Sequence, residues 1–391
     1  MTLSVSAGGT SGQPSPDLLV VGGGVMGLWA ALKAADAGLD VLLVERSRIG
    51  AGASGGLLGA LMPHMPDRWN DKKQFQFDAL VSLEAEIAAL EARTGLSAGY
   101  RRTGRVIPLG RPHLRQIAER QAQDARTVWR QGEHAFRFEV TDAAPAEGWP
   151  AAGAADCGFV VEALSARLDP RRLLSALKVA IEQAGRVRIR EGTAVVSLDP
   201  MARSASLADG TTITFGHAIL SAGVESFDIL ARIGPPPARP IGVPVKGQAA
   251  LLRADASPGL PIVFQGGLYV IAHDAGHVAV GSTSEPTFAV PGGTDEHLDA
   301  VIERAQRLVP LLKGAAVLER WSGLRPKAIG RDPMAGRHPL HSSFSVLTGG
   351  FKISFGVAHA LAAAVVGEIA NGSPPGLPQS FTVAAHLEAA R

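Results

Sequence analysis

Short apolar runs alternate with longer amphipathic segments along the chain, and their order predicts the fold class. Leu18–Val21 is a continuous apolar run typical of a buried strand, and residues 25–37 carry apolar side chains at helical spacing. Val41–Val44 repeats the buried-strand pattern. Strand, helix and strand in this order predict a βαβ unit with two parallel strands.

Further patterns predict more helices and a second sheet. Helical periodicity covers residues 77–93, 111–130, 169–184, 296–312 and 355–370. Short β-like runs cover residues 187–189, 194–198, 211–215, 218–221 and 344–347. A proline-rich break at residues 234–244 is followed by strand patterns up to residue 282. We therefore expect an α/β fold, with a Rossmann-type parallel-sheet domain and a second, smaller antiparallel-sheet domain.

This order of elements also predicts how the chain is divided into domains. The chain leaves the first domain and returns to it near residue 320. The expected dinucleotide-binding domain is discontinuous and comprises residues 17–95, 155–232 and 320–391. The expected substrate domain comprises residues 96–154 and 233–319. Residues 1–16 are rich in Ser, Gly and Pro and are expected to be a disordered tail.

Composition and charge limit the kinds of partner and the cellular location that we expect for this protein. Lys and Arg number 38 against 36 Asp and Glu, so the net charge of +2 gives no electrostatic case for nucleic acid. The single cysteine, Cys157, allows no intrachain disulfide and favours the cytoplasm, and no signal-peptide pattern is present. The most apolar stretch, residues 355–370, is shorter than the ~20 residues that a membrane span needs. We expect a buried helix there and no transmembrane segment.

A glycine turn joins the first strand to the first helix. Gly22, Gly24 and Gly27 form a G-x-G-x-x-G pattern in which Val25 and Met26 open the helix. Such a turn brings backbone N–H groups and the positive helix end to a pyrophosphate. Glu45 ends the second strand, where a carboxylate accepts hydrogen bonds from ribose hydroxyls and disfavours NADP. The turn by itself leaves FAD and NAD open.

The stretch after Glu45 bears on that choice. Residues 46–63 read RSRIGAGASGGLLGALMP, and the small residues would allow the backbone to lie against a flat cofactor. Here the sequence resembles the D-amino-acid oxidase superfamily of flavoproteins, in its glycine oxidase and sarcosine oxidase branches. The resemblance implies FAD. It also implies that Arg46, Ala53 and Ser54 lie beside the nucleotide, and that Leu58, Gly59 and Ala60 line the isoalloxazine ring.

Residues 52–56 also match the G-x-S-x-G nucleophile elbow of hydrolases, with Ser54 as the nucleophile. That motif needs a strand directly before the serine and a helix directly after it. The predicted strand instead ends at Glu45, and glycines continue past Ser54. The hydrolase interpretation is therefore disfavoured.

Several later segments resemble the same family in the same order, over about residues 17–371. Val195 follows the pattern of the strand that meets the adenine, and Ala222 and Gly223 that of a second turn beside FAD. The segment Gly350, Phe351, Lys352 and Ile353 resembles the opening of the last helix in the sarcosine oxidase branch. The cysteine to which that branch attaches its flavin has no counterpart, because Cys157 lies elsewhere, so we expect noncovalent FAD.

Three residues are implied to hold the substrate carboxylate. Arg325 stands in a W-x-G-x-R-P segment, and a planar guanidinium suits both oxygens of a carboxylate. Tyr269 matches a tyrosine that assists, and Lys352 matches a lysine of the sarcosine oxidase branch. The segment after Arg325 departs from the glycine oxidase pattern, which places the substrate's identity in doubt.

No metal site is predicted, because His338, His341 and Asp332 form only an isolated H-x-x-H pattern, interpreted as a solvated loop. The resemblance implies oxidation of the C–N bond of a small amino acid or N-methyl amino acid by hydride transfer to flavin N5, after which water hydrolyses the imine. Oxygen or another electron acceptor would complete the cycle. The alternatives are a dehydrogenase that reduces a quinone or partner flavoprotein, and a non-catalytic FAD-binding subunit of a larger complex.

Overall fold

The structure is a computed structural model that describes residues 15–391. The expected tail therefore lies outside the described residues, apart from its last two positions. The carbonyl of Pro16 accepts a hydrogen bond of 3.0 Å from the N–H of Gly216, so this position belongs to the folded body. The expectation that this residue belongs to a disordered tail is wrong, because its carbonyl bonds to Gly216.

Within residues 15–391 the α-helices are α1 (Val25–Asp36), α2 (Asp71–Thr94), α3 (Pro112–Val128), α4 (Pro170–Ala184), α5 (Glu225–Ala231), α6 (Glu296–Leu308), α7 (Ser354–Asn371) and α8 (Val383–Ala389). Local chemistry explains several ends. The carboxylate of Asp169 caps α4 by accepting from the N–H groups of Arg171 and Arg172, and Gly185 ends it in the left-handed conformation.

The strands of the same range are β1 (Leu18–Val21), β2 (Val41–Val44), β3 (Ala60–Leu61), β4 (Arg105–Pro108), β5 (Arg130–Gln131), β6 (His134–Ala135), β7 (Phe138–Thr141), β8 (Phe159–Glu162), β9 (Ala166–Arg167), β10 (Val187–Arg190), β11 (Val195–Asp199), β12 (Ser204–Leu207), β13 (Thr212–Thr214), β14 (His217–Leu220), β15 (Gly242–Arg253), β16 (Ile262–Gln265), β17 (Leu268–Ala272), β18 (His277–Gly281), β19 (Val317–Ala328), β20 (Met334–His338) and β21 (His341–Thr348).

Six strands form the nucleotide-side sheet, in the order β10, β2, β1, β14, β21 and β20. All neighbours are parallel except β20 and β21, which form an antiparallel hairpin at the edge. Alternate side chains of β1 enter different cores: Leu18 and Val20 face one cluster, and Leu19 and Val21 the other. A strand buried on both faces requires the continuous apolar run seen in the sequence.

Helices α1, α2, α4 and α7 pack against one another on one face of this sheet. The small sheet of β11, β12 and β13 covers the other face together with α5 and α8. Helix α7 is the one described helix long and apolar enough to cross a membrane by length and composition. Its side chains Val357, Leu361 and Val365 are fully buried in the core that it shares with α1 and α2.

The second large sheet has eight strands, in the order β19, β15, β18, β17, β16, β4, β8 and β7. Its neighbours are antiparallel, except that β16 and β4 run parallel. Helix α6 covers one face and buries Leu298, Val301 and Ile302 against it. This sheet corresponds to the expected antiparallel one.

Two strands pair across the two predicted domains. Strand β8 pairs with β4 and β7, and β19 pairs along its length with β15, so both lie in the second sheet rather than in the nucleotide-binding part. Pairing partners decide sheet membership, and they are distant in sequence. The assignment of the remaining segments to two domains stays a prediction.

The prediction of a solvated loop at residues 338–341 is wrong. His338 and His341 are paired across the β20–β21 hairpin, and their rings stack with centroids 4.9 Å apart. His338 is only 2% exposed because it lies against Phe344 in the core.

Candidate active site

A cavity of about 750 Å³ lies at the carboxyl ends of the parallel strands. Val21 and Val44 end β1 and β2, while Ser221 directly follows β14, and all three line the cavity. Ligands of open α/β sheets bind at this edge, where the loops after the strands converge. The cavity extends from there to Tyr269 and Arg325 of the second sheet.

The glycine turn at one end of the cavity has the geometry that the sequence predicts. Gly22 has a φ of +113°, and a Cβ there would lie 2.3 Å from the carbonyl oxygen of Ser221. A Cβ on Gly27 would lie 2.0 Å from the carbonyl oxygen of Gly22. Gly27 does not line the cavity; its role is to let α1 start close to the turn.

The start of α1 offers unpaired donors to this end of the cavity. The N–H of Val25 donates to Oγ of Ser54 over 3.0 Å, whereas those of Met26 and Gly27 have no acceptor among residues 15–391. The first N–H groups of a helix have no partner within the helix and attract anions together with the helix dipole. The turn is thus suited to a diphosphate.

Glu45 lies beside the turn, as expected for a ribose-binding carboxylate. Its two oxygens accept hydrogen bonds from the N–H groups of Gly23 at 2.8 Å and Ser47 at 2.9 Å. Each carboxylate oxygen has a second lone pair that can accept from a ribose hydroxyl. Arg46 also lines the cavity and forms an exposed ion pair of 2.7 Å with Glu225.

The small-residue stretch forms one wall of the cavity. Ala53–Gly55 is a single 3-10 turn with no strand directly before it, and Oγ of Ser54 accepts the N–H of Val25. This arrangement does not support a nucleophile elbow. Gly59 has a φ of +64°, and a Cβ there would lie 1.9 Å from the carbonyl oxygen of Leu168. Leu58 and Ala60 line the cavity on either side of Gly59.

Two further predicted segments complete the wall. Val195, Ala222 and Gly223 line the nucleotide end, and Phe351, Lys352 and Ile353 line the opposite part, ahead of α7. Phe351 has a φ of +46°, a conformation that L side chains rarely adopt. Gly350 lies behind this turn and not in the cavity lining, since a Cβ there would lie 2.4 Å from Cε of Met26.

Arg325 reaches the far end of the cavity from β19. Its guanidinium lies flat against the backbone of Gly247, where a Cβ would approach its Nη2 to 2.1 Å. Nη1 donates to the carbonyl oxygen of Thr283 at 3.1 Å, and Nη2 donates to Oγ of Ser282 at 2.8 Å. A guanidinium has five N–H donors, so three remain for a ligand. Burial lowers the pKa of Arg325, and its charge remains.

Tyr269 and Lys352 line the same cavity as Arg325, and the charge of Arg325 acts on both side chains. Burial raises the pKa of Tyr269 above its ordinary value of 10.0, so its hydroxyl is a protonated donor at neutral pH. Partial removal from water, and then the positive charges of Arg325 and Arg331, lower the pKa of Lys352. The structure thus brings together the three predicted carboxylate-binding residues.

Sequence patterns missed several residues that shape this end. Met62, His64 and Gln76 line the cavity, and the side-chain oxygen of Gln76 accepts the N–H of His64 over 2.7 Å. Burial lowers the pKa of His64, so its ring is neutral at neutral pH. Met62 and His64 flank the predicted limit of the small-residue stretch, whereas Gln76 and Gly247 give no local signal because their roles depend on distant contacts.

The expected absence of a metal stays a prediction. Glu285, Asp295 and His297 bring possible ligand atoms within 4.8 Å of one another. The buried ammonium of Lys246 lies 3.1 Å from Asp295 and 3.7 Å from Glu285, and its single positive charge offsets part of their negative charge. Cys157 does not line the cavity, and noncovalent attachment of FAD likewise stays a prediction.

The cavity fits an extended dinucleotide whose reactive end carries a flat ring. Many of its lining residues are Gly, Ala or Ser, and no atom lies within 4 Å of a Cβ built on Gly52 or Gly223. Unpaired donors mark the diphosphate end, and the cationic group of Arg325 marks the other. The fold and this cavity define a nucleotide-dependent oxidoreductase of the flavoprotein class.

Comparison with known proteins agrees. The chain belongs to the DAO family of FAD-dependent oxidoreductases, which it matches over residues 17–364. It is 29% identical over 343 residues to glycine oxidase of Pseudomonas putida, covering 86% of this chain and 90% of the relative.

Solved structures share the fold. The crystal structure of glycine oxidase from Geobacillus kaustophilus gives a TM-score of 0.82 at 22% identity, over 94% of this chain and 98% of that one. Iminodiacetate oxidase from Chelativorans sp. BNC1 gives a TM-score of 0.78 at 22% identity, over 93% and 98% of the two chains. The predicted family, fold class and FAD cofactor are confirmed.

Proposed function

We propose that this FAD-dependent oxidoreductase oxidises the C–N bond of a small amino acid or N-methyl amino acid. The observation that carries the proposal is the guanidinium of Arg325, held at the far end of the FAD cavity with three N–H donors free. A planar fork of this kind binds a carboxylate through both oxygens. The relative named glycine oxidase supports an amino acid as the substrate.

The side chains at this end would bind and orient the substrate. Arg325 and the protonated hydroxyl of Tyr269 would donate to the carboxylate, and Lys352 would add positive charge. Leu58 and Met62 would exclude water from the carbon that bears nitrogen. FAD, when bound, supplies the hydride acceptor.

The test is anaerobic mixing of the yellow holoenzyme with glycine, sarcosine and D-amino acids. Loss of the flavin absorption near 450 nm with one of these compounds, and its absence with the matching amine that lacks a carboxylate, is the expected result. Arg325→Ala should raise KM for the substrate by about tenfold or more, because a charge-assisted hydrogen bond is worth roughly 1.5–3 kcal/mol. Unchanged affinity in this variant would contradict the carboxylate role.

We propose oxygen as the electron acceptor. We also propose that the protein is located in the cytoplasm. Readmission of oxygen to the bleached enzyme should restore the yellow colour within a turnover. A slow return that a quinone or a second flavoprotein accelerates would indicate a dehydrogenase. No bleaching with any amino acid, amine or hydroxy acid would instead favour a non-catalytic FAD-binding subunit.

A further inference from the structure

A second cavity, of about 300 Å³, lies behind the wall of the FAD cavity. Gly56 and Leu57 line both cavities, so this short stretch of backbone is the partition between them. The other lining residues include His273, Arg167 and Asp274. A side chain in this second cavity can therefore act on the flavin-facing backbone without touching the cofactor.

His273 makes such a contact. Its side chain is buried, with 5% of the residue exposed, and Nε2 lies 3.1 Å from the carbonyl oxygen of Leu57. Burial, followed by the charge of Arg167, lowers the pKa of His273, so the ring is neutral at neutral pH. A neutral imidazole has one N–H, and a carbonyl oxygen can only accept. The proton is therefore on Nε2, which donates to Leu57.

The contact also fixes the direction of the next N–H. The peptide bond between Leu57 and Leu58 is not among the cis bonds of the described residues, so its C=O and N–H point in opposite directions. With the carbonyl of Leu57 held in the second cavity, the N–H of Leu58 faces the FAD cavity, which Leu58 lines. This N–H has no acceptor among residues 15–391.

We propose that His273 is a positioning residue for the flavin. It locks the Leu57–Leu58 peptide so that the N–H of Leu58 donates a hydrogen bond to the polar edge of the isoalloxazine ring. The inference rests on FAD binding, which family membership establishes, and it is independent of which amino acid is oxidised. The effect should therefore be visible in the bound flavin without any substrate.

The test compares holoenzyme spectra and FAD affinity in three variants. His273→Leu removes the donor and should shift the visible absorption bands of bound FAD. It should also raise the Kd of FAD roughly 3- to 10-fold, as expected for one lost hydrogen bond. His273→Gln places a side-chain N–H near the position of Nε2 and should restore both properties. His277→Leu alters another histidine of the same cavity, one that forms no hydrogen bond with Leu57 in the described structure, and should behave like the parent.

Three results would overturn the proposal: a parental spectrum and Kd in His273→Leu, a His273→Gln variant as defective as His273→Leu, or the same change in His277→Leu. Thermal unfolding of the three apoproteins separates a general loss of stability from loss of positioning. If His273→Leu fails to fold, His273→Gln decides alone. A parental spectrum and Kd would then support the lock, and altered ones would contradict it.

Discussion

At the scale of single residues, the position of the Arg325 guanidinium depends on Gly247, which has no side chain. The guanidinium occupies the space next to Gly247 that any other residue would fill, and the carbonyl of Thr283 and the hydroxyl of Ser282 orient it there. Thr283 is in turn fixed through its hydroxyl, which accepts the N–H of Gln248 at 2.8 Å. Gly247 lies in β15 and Arg325 in β19, and these two strands are direct neighbours in the sheet. The two residues are therefore held in a fixed relation to each other.

Gly247→Ala should displace the guanidinium, since a Cβ there would lie 2.1 Å from Nη2. We expect KM for the amino acid to rise by about tenfold or more, with a smaller change in kcat and an unchanged flavin spectrum. Steady-state kinetics and an absorption spectrum measure these effects. Gly110→Ala is the matched control, because no atom lies within 4 Å of a Cβ at that position. A parental KM in Gly247→Ala would show that the position of the guanidinium does not depend on the absence of a side chain at residue 247.

At the scale of elements, sequence patterns predict single strands and helices better than they predict which strands pair in a sheet. The run Leu18–Val21, the glycine turn and α1 were predictable, because a strand buried on both faces and a phosphate-binding turn each impose a local composition. Strand β8 has the same kind of apolar run but belongs to the other sheet. Its partners β4 and β7 are determined by three-dimensional packing, which periodicity does not encode.

The candidate site divides in the same way. Gly22, Glu45 and Arg325 stand in motifs whose spacing carries their role, and all three line one cavity. The roles assigned to individual residues remain predictions. Gly247 and His273 stand in no such motif. Each acts on a residue far along the chain, Arg325 in the first case and Leu57 in the second, so only the folded structure reveals them.

Two helical glycines should respond in opposite ways to the same substitution. Gly27→Ala places a methyl group 2.0 Å from the carbonyl oxygen of Gly22 and should destabilise the protein by about 1–3 kcal/mol, with loss of FAD affinity. Gly367 lies within α7, with no atom within 4 Å of a built Cβ, so Gly367→Ala should stabilise by roughly 0.5–1 kcal/mol. Denaturant unfolding and FAD titration measure both. A stabilised Gly27→Ala would contradict the close packing of α1 on the turn.

At the scale of the whole molecule, buried histidines make the fold sensitive to acid. Burial lowers the pKa of His217, His338 and His359 to about 4 in each case. The three residues are at most 8% exposed. Between pH 6.5, the ordinary histidine value, and pH 4, the unfolded chain binds protons that the folded chain does not. Their contribution to stability is therefore complete above pH 6.5 and is lost as the pH falls toward 4.

The free energy of unfolding should thus decrease on acidification from pH 7 to pH 5, by up to about 1.4 kcal/mol per pH unit for each such histidine. His359→Gln should reduce this slope, because it removes a buried ring that bonds Ser82 at 3.0 Å without leaving a group to titrate. Denaturant unfolding at several pH values measures the slope. The exposed His113→Gln is the control, and equal slopes in both variants would show that His359 does not contribute.

The FAD cavity has walls from segments that lie far apart along the chain, and this has a consequence for the order of events during protein synthesis. The glycine turn at residues 22–27 leaves the ribosome long before Phe351, Lys352 and Ile353 do. A nascent chain therefore offers an incomplete site until residue 353 has emerged. Complete enclosure of FAD must follow that step.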